Sequence, residues 1–149
     1  MAHTCFEGER VQMKFRITEN VSGQDVEEIH SQLKKYNHAK REPSENIPLG
    51  VFYEEEGGEK KAGLTGELFG NWLSIQYLWV SEELRGQGIG SKLLKTAEKE
   101  AVSRGAKYVF VDTFDFQAPG FYVKHGYEQV FKLFEYPYTG ERYYYIKRL

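Results

Sequence analysis

The amino-acid sequence predicts a single α/β domain over residues 1–149, built on one mixed β-sheet of about seven strands with three to four helices. Two observations predict this fold class. In the first half of the chain, short apolar stretches alternate with glycine-containing turns, which is typical of an antiparallel meander. In the second half, a glycine-rich turn separates a strand from a helix, and an apolar strand follows. That order predicts a parallel strand–helix–strand unit.

The first half of the chain reads as a strand, a helix and three further strands. Alternating apolar residues predict a half-buried strand over residues 10–18. Apolar residues then recur at three- and four-residue spacing from residue 25, which predicts a helix ending near residue 40. Residues 41–48 contain two prolines and are predicted to form a loop. The strands expected next cover residues 49–54, 61–69 and 72–80.

The second half begins with the parallel unit. A helix is predicted over residues 91–104, with Gly105 as its C-terminal cap. Its buried stripe is expected to consist of Leu93, Leu94, Ala97 and Ala101. The remaining elements are a strand at 108–111, a short helix at 118–125 and strands at 127–135 and 142–149. The strands at 72–80 and 108–111 should therefore be parallel neighbours.

The composition excludes several classes of protein. The formal net charge is -2, and the basic residues are spread along the chain, so a nucleic-acid footprint is not predicted. No apolar stretch reaches the ~18–20 residues that span a bilayer. The single cysteine, Cys5, permits no internal disulfide, and no second ligand pair accompanies His3 and Cys5. We therefore expect a cytoplasmic protein that binds neither membrane, nucleic acid nor metal.

The glycine-rich turn Arg85-Gly86-Gln87-Gly88-Ile89-Gly90 predicts an anion site. Glycines at the start of a helix let several backbone N–H groups converge on a phosphate at the positive end of the helix dipole. A Walker A loop needs Gly-Lys-Ser/Thr, whereas Gly90 is followed by Ser91-Lys92. A dinucleotide-binding fingerprint needs a glycine five positions after its first, which neither Gly86 nor Gly88 has. Tight packing of the loop is the alternative explanation.

Two segments resemble the GCN5-related N-acetyltransferase (GNAT) family, and in particular small bacterial acetyltransferases. The family signature Arg/Gln-x-x-Gly-x-Gly/Ala is matched by Arg85, Gly88 and Gly90. A second block, Asn-x-x-Ala-x-x-x-Tyr-x-x-x-Gly-Phe, is matched at Ala118, Tyr122 and Gly126, with Asp115 in place of Asn and Tyr127 in place of Phe. The blocks cover about residues 72–130. The resemblance implies the GNAT fold, with the fourth and fifth predicted strands parallel and diverging from each other.

The resemblance also implies acetyl-coenzyme A as the acyl donor and assigns its binding residues. The pantetheine arm is expected along the end of the fourth predicted strand, and the pyrophosphate on the glycine-rich turn. A backbone N–H of the same strand is expected to stabilise the oxyanion that develops during acetyl transfer. The expected cofactor-binding residues are Leu78, Trp79, Val80, Arg85, Gly86, Gln87, Gly88, Ile89, Gly90, Ser91 and Asp115.

Tyr122 matches the family position that protonates the departing thiolate. The alternative is a tyrosine that only packs against the sheet. Some family members carry a glutamate as general base on the fourth strand, and the matching position here is Ser74, which cannot act alone as a base. By the predicted strands, Asp112 and Glu67 are the nearest carboxylates. His125, at a helix C-terminus, is expected to serve there as a cation.

The acceptor is expected to be a primary amine of a small molecule, because the loop that follows the first helix is short. Acetylation of protein lysines or N-termini, and a non-catalytic acyl-coenzyme A sensor, are the alternatives. Aromatic residues on and after the diverging strands have either a substrate-pocket role or a packing role: Trp72, Tyr77, Trp79, Phe114 and Phe116. A homodimer is possible through the strand that contains Tyr143, Tyr144 and Tyr145.

Overall fold

The computed structural model describes residues 13–149. They divide into two compact units, one ending at Pro43 and the other running from Ser44 to Leu149. The predicted strand at 10–18 lies partly outside this range, because residues 10–12 are not described, and His3 and Cys5 also lie outside it. Residues 13–18 form no strand, so that part of the prediction is wrong. Alternation predicts an apolar face, but a strand also needs a neighbour for its N–H and C=O groups.

Helix α1 (Gly23–Lys40) begins at a reciprocal cap. The Ser22 hydroxyl oxygen accepts a hydrogen bond from the Asp25 N–H at 3.0 Å, and the Asp25 carboxylate accepts one from the Ser22 N–H at 3.1 Å. These bonds lower the pKa of Asp25. A cap of this kind stabilises a helix by about 1 kcal/mol. The helix predicted to end near residue 40 is confirmed.

The second unit contains a six-stranded mixed sheet in the order β1-β2-β3-β4-β6-β5. Its strands are β1 (Asn46–Glu54), β2 (Lys60–Phe69), β3 (Trp72–Val80), β4 (Tyr108–Phe114), β5 (Glu128–Leu133) and β6 (Arg142–Arg148). All neighbours are antiparallel except β3 and β4, which are parallel as the sequence predicts. The mixed α/β class is therefore confirmed, with six strands in the described residues where about seven were expected.

The parallel pair is short and then diverges. Pairing between β3 and β4 covers three register positions and ends at Ser74 opposite Phe110. Beyond that point β3 continues to Val80 and β4 to Phe114 without pairing with each other. We call this gap the splay. It leaves one backbone edge of β3 facing the opening between the two strands.

A bulge in β3 lies at the start of the splay. Thr65 of β2 pairs with Tyr77, but the next residue, Gly66, pairs with Ile75, so Gln76 has no partner in β2. The extra residue inverts the alternation of β3. Before the bulge Ile75 is buried in the core, and after it Leu78 and Val80 pack against that core.

Two helices cover what we call the core face of the sheet, which carries Leu73, Ile75, Val109 and Val111. Helix α2 (Ile89–Ser103) packs on β1, β2 and β3, and α3 (Pro119–Lys124) contacts β5. The predicted stripe of α2 is confirmed as buried, and Glu98 is buried with it. The opposite side of the sheet, which we call the second face, carries the residues that alternate with the core, among them Ser74, Phe110 and Asp112.

Two predictions about the sheet edges are wrong. Pro48 was placed in a loop but lies inside β1, where it is tolerated because β1 is an edge strand and one side needs no donor. The strand with Tyr143 to Tyr145 was expected to be free to pair with a second copy, but β6 is hydrogen-bonded to β4 on one side and β5 on the other. The homodimer itself stays a prediction.

In the described residues, no helix combines the length and apolarity needed to cross a bilayer.

Candidate active site

A cleft of about 1170 Å³ runs through the splay. Its walls come from the diverging ends of β3 and β4, the start of α2 and the start of α3. Most of the residues predicted to form the site lie here together. They are Leu78, Trp79, Val80, Arg85, Gly86, Gly88, Ile89, Gly90, Ser91 and Tyr122.

The start of α2 forms one end of the cleft. Gly86 and Gly88 both have a φ of +78°, a left-handed conformation that is unfavourable for residues with a Cβ, and Gly88 is the N-cap of α2. The first bond back to this cap is donated by Lys92 to the Gly88 carbonyl. The three residues between them, at the first positions of the helix, therefore present N–H groups that need partners from outside it.

Side chains on either side of this helix start are held in place. The Arg85 Nε donates to the carbonyl of Val80 at 3.2 Å, so its guanidinium lies beside the end of β3. The Ser91 hydroxyl is hydrogen-bonded to the His125 Nε2 at 2.9 Å. Burial, and next the charge of Lys95, lower the pKa of His125. The positive charge expected on His125 is therefore disfavoured.

Gln87 and Asp115 do not line the cleft. The Gln87 amide donates to the carbonyl of Glu83 at 3.2 Å. The Asp115 carboxylate accepts from the Glu141 N–H at 3.3 Å, and the Asp115 N–H donates to the Glu141 carbonyl at 3.1 Å. Asp115 thus ties the end of β4 to the start of β6. Its predicted contact with the donor stays a prediction.

Tyr122 projects from α3 and is only 6% exposed. Its ring packs edge-on against Phe121 and Tyr127, with ring centres 5.2 and 5.6 Å away, and lies 6.1 Å from the ring of Tyr145. Within the described residues its hydroxyl has no hydrogen-bond partner, and Tyr122 lines the cleft. Burial, and then the charge of Asp112, raise the pKa of Tyr122 to about 12. The phenol is therefore protonated throughout the neutral range.

A buried polar cluster includes Tyr127, whose ring packs against the ring of Tyr122. The Tyr127 hydroxyl donates to Glu98 at 3.5 Å, and the Lys147 Nζ donates to the other oxygen of Glu98 at 2.6 Å. Burial and the Glu98 charge raise the pKa of Tyr127. The sequence analysis did not identify Glu98, because periodicity does not reveal a partner such as Lys147, which is 49 residues away.

Of the two carboxylates considered in place of Ser74, one lies in the cleft. Ser74 and Asp112 both line it, and Asp112 is the only carboxylate among its lining residues in the described chain. Glu67 is the cross-strand neighbour of Ser74 but is hydrogen-bonded to the side chain of Asn46 and does not line the cleft.

Arg142 is a site residue that the sequence analysis missed. Its Nε and Nη2 atoms lie 2.7 and 2.5 Å from one oxygen of Asp112. Its Nη1 donates to the Tyr136 hydroxyl at 3.1 Å, and its guanidinium lies over the rings of Phe114 and Tyr144 at 5.6 and 5.5 Å. Its place at the start of β6, directly before three tyrosines, was the available signal.

The aromatic residues considered for a pocket divide into two groups. Tyr77, Trp79 and Phe114 line the cleft. Trp72 does not, and instead stacks on Tyr108 with ring centres 4.7 Å apart. Phe116 stacks on Phe114 at 5.2 Å and is otherwise exposed.

Comparison with known proteins gives one consistent result. The model of the Acetyltransferase (GNAT) family matches residues 18–127. The acetyltransferase Atu2258 of Agrobacterium fabrum is 31% identical over 118 residues, which cover 79% of this chain and 86% of that protein. The blasticidin-S acetyltransferase of Streptomyces morookaense is 42% identical over 83 residues, which cover 55% of this chain and 61% of that enzyme.

Solved structures agree with the sequence relatives. An acetyltransferase from Bacillus cereus superposes with a TM-score of 0.80 at 31% identity, covering 90% of this chain and 98% of that one. A structure from Agrobacterium tumefaciens superposes with a TM-score of 0.87 at 29% identity, covering 92% and 100% of the two chains.

Proposed function

The chain belongs to the acetyltransferase (GNAT) family and is an N-acetyltransferase, and on this premise we propose that it transfers the acetyl group of acetyl-coenzyme A to a primary amine of a small molecule. The observation that carries the proposal is the cleft, which joins the glycine-capped start of α2 to a buried, protonated tyrosine through the splay. Acetyl-coenzyme A supplies the activated acetyl thioester.

The residues at the start of α2 fit the pyrophosphate of this donor. The backbone N–H groups of Gln87 to Ser91 would hold it, because those at the first turn have no partner within the helix and the helix dipole favours an anion there. The left-handed glycines at 86 and 88 keep side chains away from this surface. Arg85 adds a positive charge at the same end of the cleft.

The free edge of β3 fits the amide-containing arm of the donor. From Ile75 to Val80, β3 pairs only with β2, so backbone groups on its other side face the cleft. Leu78, Trp79 and Val80 would hydrogen-bond the arm as an additional strand would. The bulge at Gln76 re-aims the backbone where the acetyl group would lie, and an N–H there would stabilise the developing oxyanion.

The chemical step needs a neutral amine and a proton for the departing sulfur. The amine nitrogen forms a bond to the acetyl carbon, the carbon–sulfur bond breaks, and the nitrogen loses a proton to water in the cleft. Tyr122 would donate its phenolic proton to the sulfur and regain one from solvent. Its pKa of about 12 means that the phenol carries its proton at neutral pH.

Two observations favour a small-molecule acceptor. One relative, 42% identical over 83 residues, is named a blasticidin-S acetyltransferase, which acts on a small antibiotic. The cleft also has aromatic side chains, Tyr77 and Trp79, that suit a compact organic molecule better than an extended polypeptide.

Steady-state release of coenzyme A thiol tests the proposal. The enzyme would be given acetyl-coenzyme A and a panel of primary amines that includes blasticidin S, alkylamines, arylamines and lysine peptides. We expect amine-dependent thiol release together with formation of the N-acetyl product, detected by mass spectrometry. Acetylation confined to the peptides would favour a protein substrate. Absence of release with every amine would contradict the proposal.

A further inference from the structure

We propose that Asp112 binds the protonated amine of the acceptor between the rings of Phe110 and Phe114, so that the enzyme selects small molecules that carry a cationic amino group. The inference rests on the proposed acetyl transfer and names the class of acceptor within it. Its starting point is that Asp112 is the only carboxylate that lines the cleft in the described residues.

The three residues lie on one face of β4. Val111 and Thr113 are buried in the core, so the residues that alternate with them point to the second face. All three line the cleft, Phe110 at the last position that pairs with β3 and the other two beyond it. The donor-binding helix start and Tyr122 belong to elements on the core face. An acceptor on the second face would therefore meet the acetyl group through the splay.

Asp112 and Tyr122 line the same cleft. The charge of Asp112 is also among the causes that raise the pKa of Tyr122. A cation held by Asp112 would thus have its nitrogen near the group that protonates the departing sulfur. The ring of Phe110, on the same face of β4, adds cation–π attraction for an ammonium group.

Arg142 fixes the carboxylate without occupying all of it. Both of its contacts go to Oδ2 of Asp112, and within the described residues Oδ1 has no hydrogen-bond partner. Arg142 is itself held by the Tyr136 hydroxyl and by neighbouring rings. The arginine therefore orients Asp112 and leaves one oxygen for an incoming donor.

The same chemistry argues for binding rather than proton abstraction. Carboxylates are far weaker bases than alkylamines, so Asp112 stabilises the ammonium form instead of taking its proton. The proton passes to water before the neutral amine attacks. Amines that are already neutral in solution, such as arylamines, gain nothing from this carboxylate.

The test compares three variants with an alkylamine and an arylamine acceptor. Asp112→Asn removes the charge and keeps the shape. Asp112→Glu keeps the charge and shifts it. Glu67→Gln is the matched control, since Glu67 is a nearby carboxylate on β2 that does not line the cleft. Initial rates of thiol release give kcat and KM for each substrate, and melting temperatures establish that each variant is folded.

We expect Asp112→Asn to raise the KM for the alkylamine by roughly 10- to 100-fold, the effect of losing one charged hydrogen bond. The KM for acetyl-coenzyme A and the arylamine kinetics should change less than about threefold, a difference below ~1 kcal/mol. Asp112→Glu should recover part of the alkylamine affinity, and Glu67→Gln should match the parent enzyme.

Each of the following outcomes would overturn the inference. An alkylamine KM unchanged in Asp112→Asn, or one raised equally for charged and neutral amines, would remove the role of Asp112 while leaving acetyl transfer intact. A parent enzyme that releases no thiol with any amine would contradict the proposed function and, with it, this inference. If Asp112→Asn does not fold, the parent enzyme is measured at increasing salt concentration instead. Because salt screens charges, its alkylamine KM should rise while its arylamine KM stays constant, and an alkylamine KM independent of salt would contradict the inference.

Discussion

Replacing Tyr122 by phenylalanine should remove catalysis and leave the fold intact. The substitution deletes one oxygen that, within the described residues, has no hydrogen-bond partner, so no buried group is left unpaired. The ring keeps its packing against Phe121, Tyr127 and Tyr145. We therefore expect the free energy of unfolding to change by less than about 1 kcal/mol.

The effect on rate should be much larger. Loss of a general acid lowers kcat by roughly 10²- to 10⁴-fold, which corresponds to about 3 to 5 kcal/mol of activation free energy. The KM for acetyl-coenzyme A should remain within about threefold of the parent value, because the proposed donor contacts are with the start of α2 and the edge of β3. If Tyr122 had only a structural role, its replacement would lower the free energy of unfolding and leave kcat nearly unchanged.

The pH profile adds a second criterion. Because the pKa of Tyr122 is raised to about 12, the phenol is protonated at lower pH and does not titrate in the neutral range. The parent and Tyr122→Phe should thus have profiles of the same shape near neutral pH and differ only in height. Loss of activity through ionisation of Tyr122 itself begins only as the pH approaches about 12.

The assay is steady-state thiol release with the best acceptor amine, combined with urea unfolding. Tyr138→Phe is the matched control, since Tyr138 is 86% exposed and does not line the cleft. Retention of more than about a tenth of the parent kcat by a folded Tyr122→Phe variant would refute the general-acid assignment.

Three further substitutions test the helix start and the buried cluster. Gly88→Ala places a Cβ on a residue in the left-handed conformation, which costs about 1 kcal/mol. Initial-rate measurements should show a KM for acetyl-coenzyme A that is raised several-fold, while the KM for the amine is unchanged. His125→Gln should reduce the loss of stability, followed by thermal unfolding, between about pH 7.5 and 5.5. The folded pKa of His125 is lowered, so the unfolded chain takes up this proton first and stability falls as the pH drops through about 6.5. Lys147→Met should lower the free energy of unfolding in urea by roughly 2 to 4 kcal/mol, because it strands the buried carboxylate of Glu98, and the added change Glu98→Gln should restore most of it.

Local signals made much of the fold predictable. The apolar stripe of α2 follows from helical periodicity, and the bounds of β3 follow from an apolar and aromatic run between two turns. The glycine-rich turn comes directly before α2. The parallel pairing of β3 and β4 follows from the helix that connects them. Tyr122 was predicted as a site residue because it matches the second block through which the chain resembles the family.

Pairing partners were not predictable in the same way. Alternation at residues 13–18 is compatible with a strand, but no strand forms there. The composition of β6, which is rich in tyrosine, fits an edge strand as well as a central strand of the sheet. Its position between β4 and β5 is known only from the strand order of the folded sheet. The bulge at Gln76 depends on the register of β2 against β3, which single-strand periodicity does not contain.

The sequence by itself determined the fold class and the family, and it located most of the residues that line the cleft, because these depend on contiguous motifs and local conformation. The tertiary structure decided which charged residues share the cleft. Asp112 and Arg142 are 30 residues apart and meet because β4 and β6 are antiparallel neighbours. Ser91 and His125, 34 residues apart, meet through the packing of two helices. Such long-range pairs form only when the whole domain folds. For the same reason, only the tertiary structure shows that Asp112 lines the cleft and that Glu67 does not.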